Sequence, residues 1–204
     1  MNNNKELEIR SFSCELRADE GENSRIIRGL AIPVESRSEL LHGEFYEVIR
    51  SSAVNDDLIN NNDVKLYINH DPSQGTLARS KKGTGSLKLT VTERGLEFET
   101  ELPHTAQGDY LLEGIRRGDF GEVSFGFYVD KDEWTKNEDN TYSRSIISFR
   151  ALDEISCLSE QAAYSATGVN IRSLETFKAE EQRKIEVLHA LDEKMQEIEN
   201  ISKL

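Results

Sequence analysis

Along the middle of the chain, apolar side chains recur at every second position in short runs broken by Gly, Asn and Asp, the pattern of strands with one buried face. The clearest run is Leu87, Leu89 and Val91, followed by Glu93-Arg94-Gly95 and then Leu96, Phe98, Thr100 and Leu102, which predicts a hairpin. Further strands are predicted over 6–16, 25–33, 44–49, 64–69, 122–129, 142–150 and 153–158. Two short helices interrupt them. One should follow Ser51 and Ser52 as caps and run to about Asn60; the other should start near Thr105, bury Leu111, Leu112 and Ile115, and stop at Gly118. Strands without regular alternation with helices argue against a parallel doubly wound sheet. The expected fold is therefore α+β, mainly β: an antiparallel barrel or sandwich flanked by short helices.

The stretch 173–204 contains no Gly or Pro and reads as one C-terminal helix. Leu174, Phe177, Leu188, Leu191, Met195 and Ile198 keep a three-four spacing, but Glu181 and Lys184 interrupt the stripe, which is convincing only after Ile185. A docked or solvated helix is the plainer expectation and a coiled-coil tail the sharper one. With 204 residues, the chain accommodates one domain of about 150 residues plus an appendage. The expected division is an N-terminal strand or extension over 1–24, a body over 25–172 and the helical tail over 173–204.

Charge narrows the functions. Lys and Arg number 25 against 38 Asp and Glu, a net charge of -13, so the surface should repel phosphate backbones and no nucleic-acid partner is expected. No segment approaches the ~20 apolar residues needed to span a bilayer, and the start lacks a secretion signal, so no membrane partner and a cytoplasmic location are expected. Cys14 and Cys157 stand far apart with no further ligand at metal spacing, and the four histidines show no close pair. Neither a metal nor a cofactor is expected, and His42, His104 and His189 are left without a role.

Three segments could carry chemistry. His70 ends the run from Val64 and precedes Asp71-Pro72, where a strand opens into a turn and a side chain becomes accessible. In 121–127, Val123, Phe125 and Phe127 share one face, which puts Ser124 on the other face beside Gly126, where a substrate strand could approach closely. In 151–158, Leu152, Glu154, Ser156 and Leu158 alternate with Asp153, Ile155 and Cys157, so Glu154 is either a paired structural charge or the group that orients a histidine. Taken alone, the first two read as a turn histidine bonded to nearby backbone and a solvent-facing serine on an edge strand.

Read in order, the landmarks do more. They are 28–33 (RGLAIP), 43–49 (GEFYEVI), 68–71 (INHD), 95–98 (GLEF), 102–105 (LPHT), 115–118 (IRRG), 123–127 (VSFGF) and 152–156 (LDEIS). In order and spacing, over about 25–167, they resemble the prohead (procapsid maturation) serine proteases of tailed bacteriophages, the HK97-type group similar in fold to the herpesvirus assemblins. The resemblance implies an assemblin-like antiparallel β-barrel, with His70 as general base and Ser124 as nucleophile. A serine hydroxyl is a weak nucleophile until a neighbouring base takes its proton, and the base needs a third group to hold its tautomer. Glu154 matches that third position best, with Asp153 and Asp71 as alternatives. No residue signature marks an oxyanion hole.

The activity so implied is a serine endopeptidase that cleaves scaffolding segments of the capsid protein, and itself, inside the immature procapsid in the host cytoplasm. Its partners would be the major capsid protein with its scaffolding segment and a second copy of the chain as a dimer. Gln161 stands where the family usually has the proline of a Pro-Ala pair. The alternative from a different class is a catalytically inactive assembly or scaffolding module acting through the C-terminal helix.

Overall fold

A computed structural model of the chain describes residues 6–14, 16–21, 23–159 and 168–201. In chain order the strands are β1 (Glu8–Ser13), β2 (Arg17–Ala18), β3 (Ile26–Pro33), β4 (Phe45–Ile49), β5 (Asp63–Ile68), β6 (Ala78–Lys81), β7 (Thr84–Gly85), β8 (Lys88–Thr92), β9 (Gly95–Glu101), β10 (Glu122–Lys136) and β11 (Tyr142–Leu158). The helices are α1 (Asp56–Asn61), α2 (Ala106–Arg117) and α3 (Gly168–Ile201). The chain divides into two compact units, 1–167 and 168–204.

In the first unit, the strands form a seven-stranded sheet ordered β1-β10-β11-β5-β6-β7, with β4 also on β11, and a four-stranded sheet ordered β2-β3-β9-β8. Ile27, Ile32, Leu96 and Phe98 of the smaller sheet join Leu66, Val123, Phe125 and Phe127 of the larger in one buried cluster. The fold is α+β and mainly β, as expected, but two features of the expected architecture are corrected. The described strands stay in two open sheets and do not close into a barrel. Pairing is also mixed: β4 and β5 both run parallel to β11, one beside Tyr142–Ile146 and the other beside Glu154–Cys157. The reason is length. At 17 residues, β11 is long enough to seat two strands end to end along one edge. Its predicted break near Arg150 is absorbed by register shifts in the β10–β11 hairpin rather than by a loop.

Local signals place the rest. In the β8–β9 hairpin, Thr92 faces Gly95 across the two-residue turn at Glu93-Arg94. Gly95 is irreplaceable there, since its φ is +132° and a Cβ would stand 1.9 Å from the Ile32 carbonyl oxygen. Helix α2 begins where Thr105 Oγ1 accepts the Gly108 N–H at 3.2 Å and ends at Gly118, left-handed at φ 81°. The first helix differs from expectation. Asn55, not a serine, caps α1 by accepting the Leu58 N–H at 2.9 Å, and Ser51 and Ser52 lie in a separate 3-10 turn. Ser52 is engaged elsewhere, donating to the Ile147 carbonyl at 2.8 Å.

Strand β1 is held by charge. Arg144, fully buried, donates to Glu8 at 2.7 and 3.0 Å, to Glu47 at 2.9 Å and to Asp132 at 2.7 Å. Arg10 donates to Glu47 through two nitrogens at 2.6 and 2.7 Å and to Glu8 at 2.9 Å. Burial opposes the charge on Glu47, but Arg10 and Arg144 outweigh it and hold its carboxyl below the usual glutamate value.

The second unit is the 34-residue helix α3, which leaves Ile185, Val187, Leu188, Leu191, Met195 and Ile198 exposed. No described helix is long and apolar enough to cross a membrane.

Candidate active site

His70 lies two residues beyond β5, in a turn closed by the Asp71 N–H donating to the Ile68 carbonyl at 3.0 Å. Both Asn69 (φ 51°) and His70 (φ 59°) are left-handed, a conformation non-glycine residues keep only when their surroundings impose it. Four bonds impose it here. The Asn69 N–H donates to the Cys157 carbonyl at 3.1 Å, prolonging the pairing of β5 with β11. The Asn69 side chain donates to Ser159 Oγ and accepts the Ser159 N–H, each at 3.0 Å. The His70 N–H donates to Ser156 Oγ at 3.2 Å.

Glu154 reaches the histidine from β11. Its Oε1 is hydrogen-bonded to His70 Nδ1, and its Oε2 accepts the Ser156 hydroxyl at 2.6 Å. Because a carboxylate only accepts, the contact puts a proton on Nδ1, and in the neutral ring Nε2 keeps its lone pair. That Nε2 is buried and has no hydrogen-bond partner among the described residues. Asp71 is committed elsewhere: it accepts from Ser73 N–H at 2.9 Å, Ser73 Oγ at 2.5 Å and Gln74 Nε2 at 3.0 Å, bonds that hold its carboxyl below the usual range. Of the acidic candidates, Glu154 is the one in contact with His70.

Ser124 sits on β10 directly opposite Ser156, and Gly126 opposite Glu154. Opposed residues of an antiparallel pair project from one face, so Ser124, Gly126, Glu154 and Ser156 share a face, away from Val123, Phe125 and Phe127. This much agrees with the alternation in the sequence. The edge position does not: β1 pairs with β10 through Ser11 and Ser124, making β10 an interior strand, and Ser124 has no exposed surface. Its Oγ donates to the Arg10 carbonyl at 2.9 Å. The structure therefore brings His70 and Glu154 together and sets Ser124 one strand away, without a hydrogen bond between Ser124 and His70.

Gly126 has a different reason from the one expected. A Cβ there would stand 3.2 Å from both Cγ and Oε1 of Glu154 and 3.3 Å from Leu7 Cδ1. The space beside the serine is filled by the chain's own carboxylate and by Leu7, not left open to a substrate strand. Ser156 carries two bonds of the site and was visible in the sequence only as one member of an alternating run. Its spacing of two from Glu154 on a strand, which puts both on one face, is the signal that links them. Gln161 lies outside the described residues.

A carboxylate on Nδ1 and an unpartnered Nε2 form an arrangement that can act as a general base. A family model described as Caudovirus prohead serine protease matches residues 12–182. The solved structure of the bacteriophage T4 capsid assembly protease, gp21, is similar over 74% of this chain and 96% of that chain, at 12% sequence identity and a TM-score of 0.46. Among curated proteins none matches.

Proposed function

The chain belongs to the caudovirus prohead serine protease family, and from that premise we propose that it is an active serine endopeptidase with Ser124 as nucleophile, His70 as general base and Glu154 as the group that orients the base. The observation that carries the reading is the contact of Glu154 with His70 Nδ1 together with the unpartnered Nε2. In the first step the Ser124 hydroxyl turns from the Arg10 carbonyl to Nε2, gives up its proton and attacks the scissile carbonyl. The imidazolium, stabilised by Glu154, then protonates the leaving amine, and water hydrolyses the acyl-enzyme by the same relay. Since Ser124 is fully buried, a peptide reaches it only after the groups around it move aside. The substrates proposed are scaffolding segments of the major capsid protein and the chain itself, inside the immature procapsid in the host cytoplasm, with the enzyme acting as a dimer.

One observation favours a second reading. A serine that is buried and bonded to a backbone carbonyl suits a non-cleaving assembly module as well as a resting enzyme. Reaction of the full chain with a fluorophosphonate, followed by peptide mapping, separates the two. The protease reading expects the label on Ser124, and its loss in His70→Ala. A folded wild-type chain that is left unlabelled at Ser124 and does not cleave co-expressed capsid protein would establish the module instead.

A further inference from the structure

We propose that Ser156 is a positioning residue of the site, fixing both the tautomer and the backbone of His70; this rests on the reading of His70 as the general base. Ser156 is fully buried, so its hydroxyl bonds to protein and not to bulk water. A hydroxyl has one proton to give and lone pairs to receive with. The His70 N–H, at 3.2 Å, can only donate to it, and Glu154 Oε2, at 2.6 Å, can only accept from it. The hydroxyl thus has a single orientation, with its O–H donating to Glu154 Oε2.

Two consequences follow for the histidine. The bond to Oε2 holds the carboxylate with Oε1 on His70 Nδ1, and that contact keeps the proton off Nε2, the atom that must receive one from the nucleophile. The same hydroxyl also holds the main chain of His70 in its left-handed turn. Here one side chain, directly opposite Ser124 in the sheet, ties the carboxylate to the residue it orients.

The test uses the full chain with Ser156→Ala and with Ser156→Cys, which is close to serine in volume and keeps the site filled should alanine prevent folding. Cleavage of the capsid protein is followed for kcat and KM separately, and the His70 ring nitrogens are followed by NMR. Loss of a hydrogen bond to a charged group predicts a fall in kcat of about 10- to 150-fold with KM nearly unchanged. The His70 signals should shift from a single Nδ1–H form towards a mixture of tautomers. Wild-type cleavage rates, or a loss of rate with unchanged ring signals, would overturn the proposal. Should the wild type itself not cleave, the protease reading fails separately, and the ring signals alone decide the role of Ser156: a shift supports it and unchanged signals overturn it.

Discussion

Replacing Glu154 by glutamine keeps the shape of the side chain and changes one acceptor into a donor, which makes it the sharpest probe of the histidine. Two arrangements of the amide are available. In the first, the amide nitrogen faces His70 Nδ1, the ring must move its proton to Nε2, and the base is lost; in a serine protease with the analogous substitution this lowers kcat by about 10⁴. In the second, the amide oxygen accepts Nδ1–H and the nitrogen faces Ser156. Ser156 already accepts the His70 N–H, so its own proton loses its acceptor, and a neutral amide replaces the charge that stabilises the imidazolium. A hydrogen bond to a charged group contributes about 1.5–3 kcal/mol, so this arrangement still costs about 10- to 150-fold. The expected loss in kcat/KM lies between about 10-fold and 10⁴-fold. Time courses of capsid-protein cleavage by wild type and Glu154→Gln, with circular dichroism to verify folding, measure it. A folded variant cleaving within about threefold of wild type would refute the assignment of Glu154 as the orienting group.

Three further outcomes follow from the same structure. Arg144→Met leaves Glu8 buried beside one fewer cation and should destabilise the first unit by about 3–5 kcal/mol, read as a lower urea midpoint. Because Glu47 is held below its ordinary value of 4.5, its contribution to stability is complete above that pH and is lost as pH falls through the lower folded value. The gap in urea midpoint between wild type and Glu47→Gln should accordingly be constant at neutral pH and narrow below 4.5; a constant gap to lower pH would contradict this. Gly126→Ala presses a methyl group against the Glu154 carboxylate, 3.2 Å from Oε1, and should lower kcat by about tenfold while the chain stays folded.

What was legible in the sequence divides along local and non-local lines. The β8–β9 hairpin and helix α2 were readable because a two-residue turn, a threonine cap and a terminal glycine act within a few residues of themselves. Parallel seating of β4 and β5 on β11 was not, since strand direction is decided by partners far along the chain and leaves no mark in alternation. Glu8, Arg10, Glu47 and Arg144 lie on inward strand faces, in phase with buried positions such as Phe45, Ile49, Tyr142 and Ile146 where apolar side chains are expected, and they are buried because they satisfy one another. At the site, the nearness of His70 and Glu154 was anticipated only through the family resemblance, the residues themselves leaving Glu154 open as a paired structural charge. The burial of Ser124 was not, because it depends on β1 pairing along the open side of β10. Ser156 escaped notice because a serine in a strand has no distinctive pattern until its two partners are seen.

The central claim is Ser124-dependent proteolysis of the capsid protein. Its most direct test is co-expression of the full chain with its cognate capsid protein, wild type beside Ser124→Ala, with intact masses measured for both proteins. The account predicts defined fragments of the capsid protein with the wild type and none with the variant. Identical uncut masses from both, with particles still assembling, would contradict it.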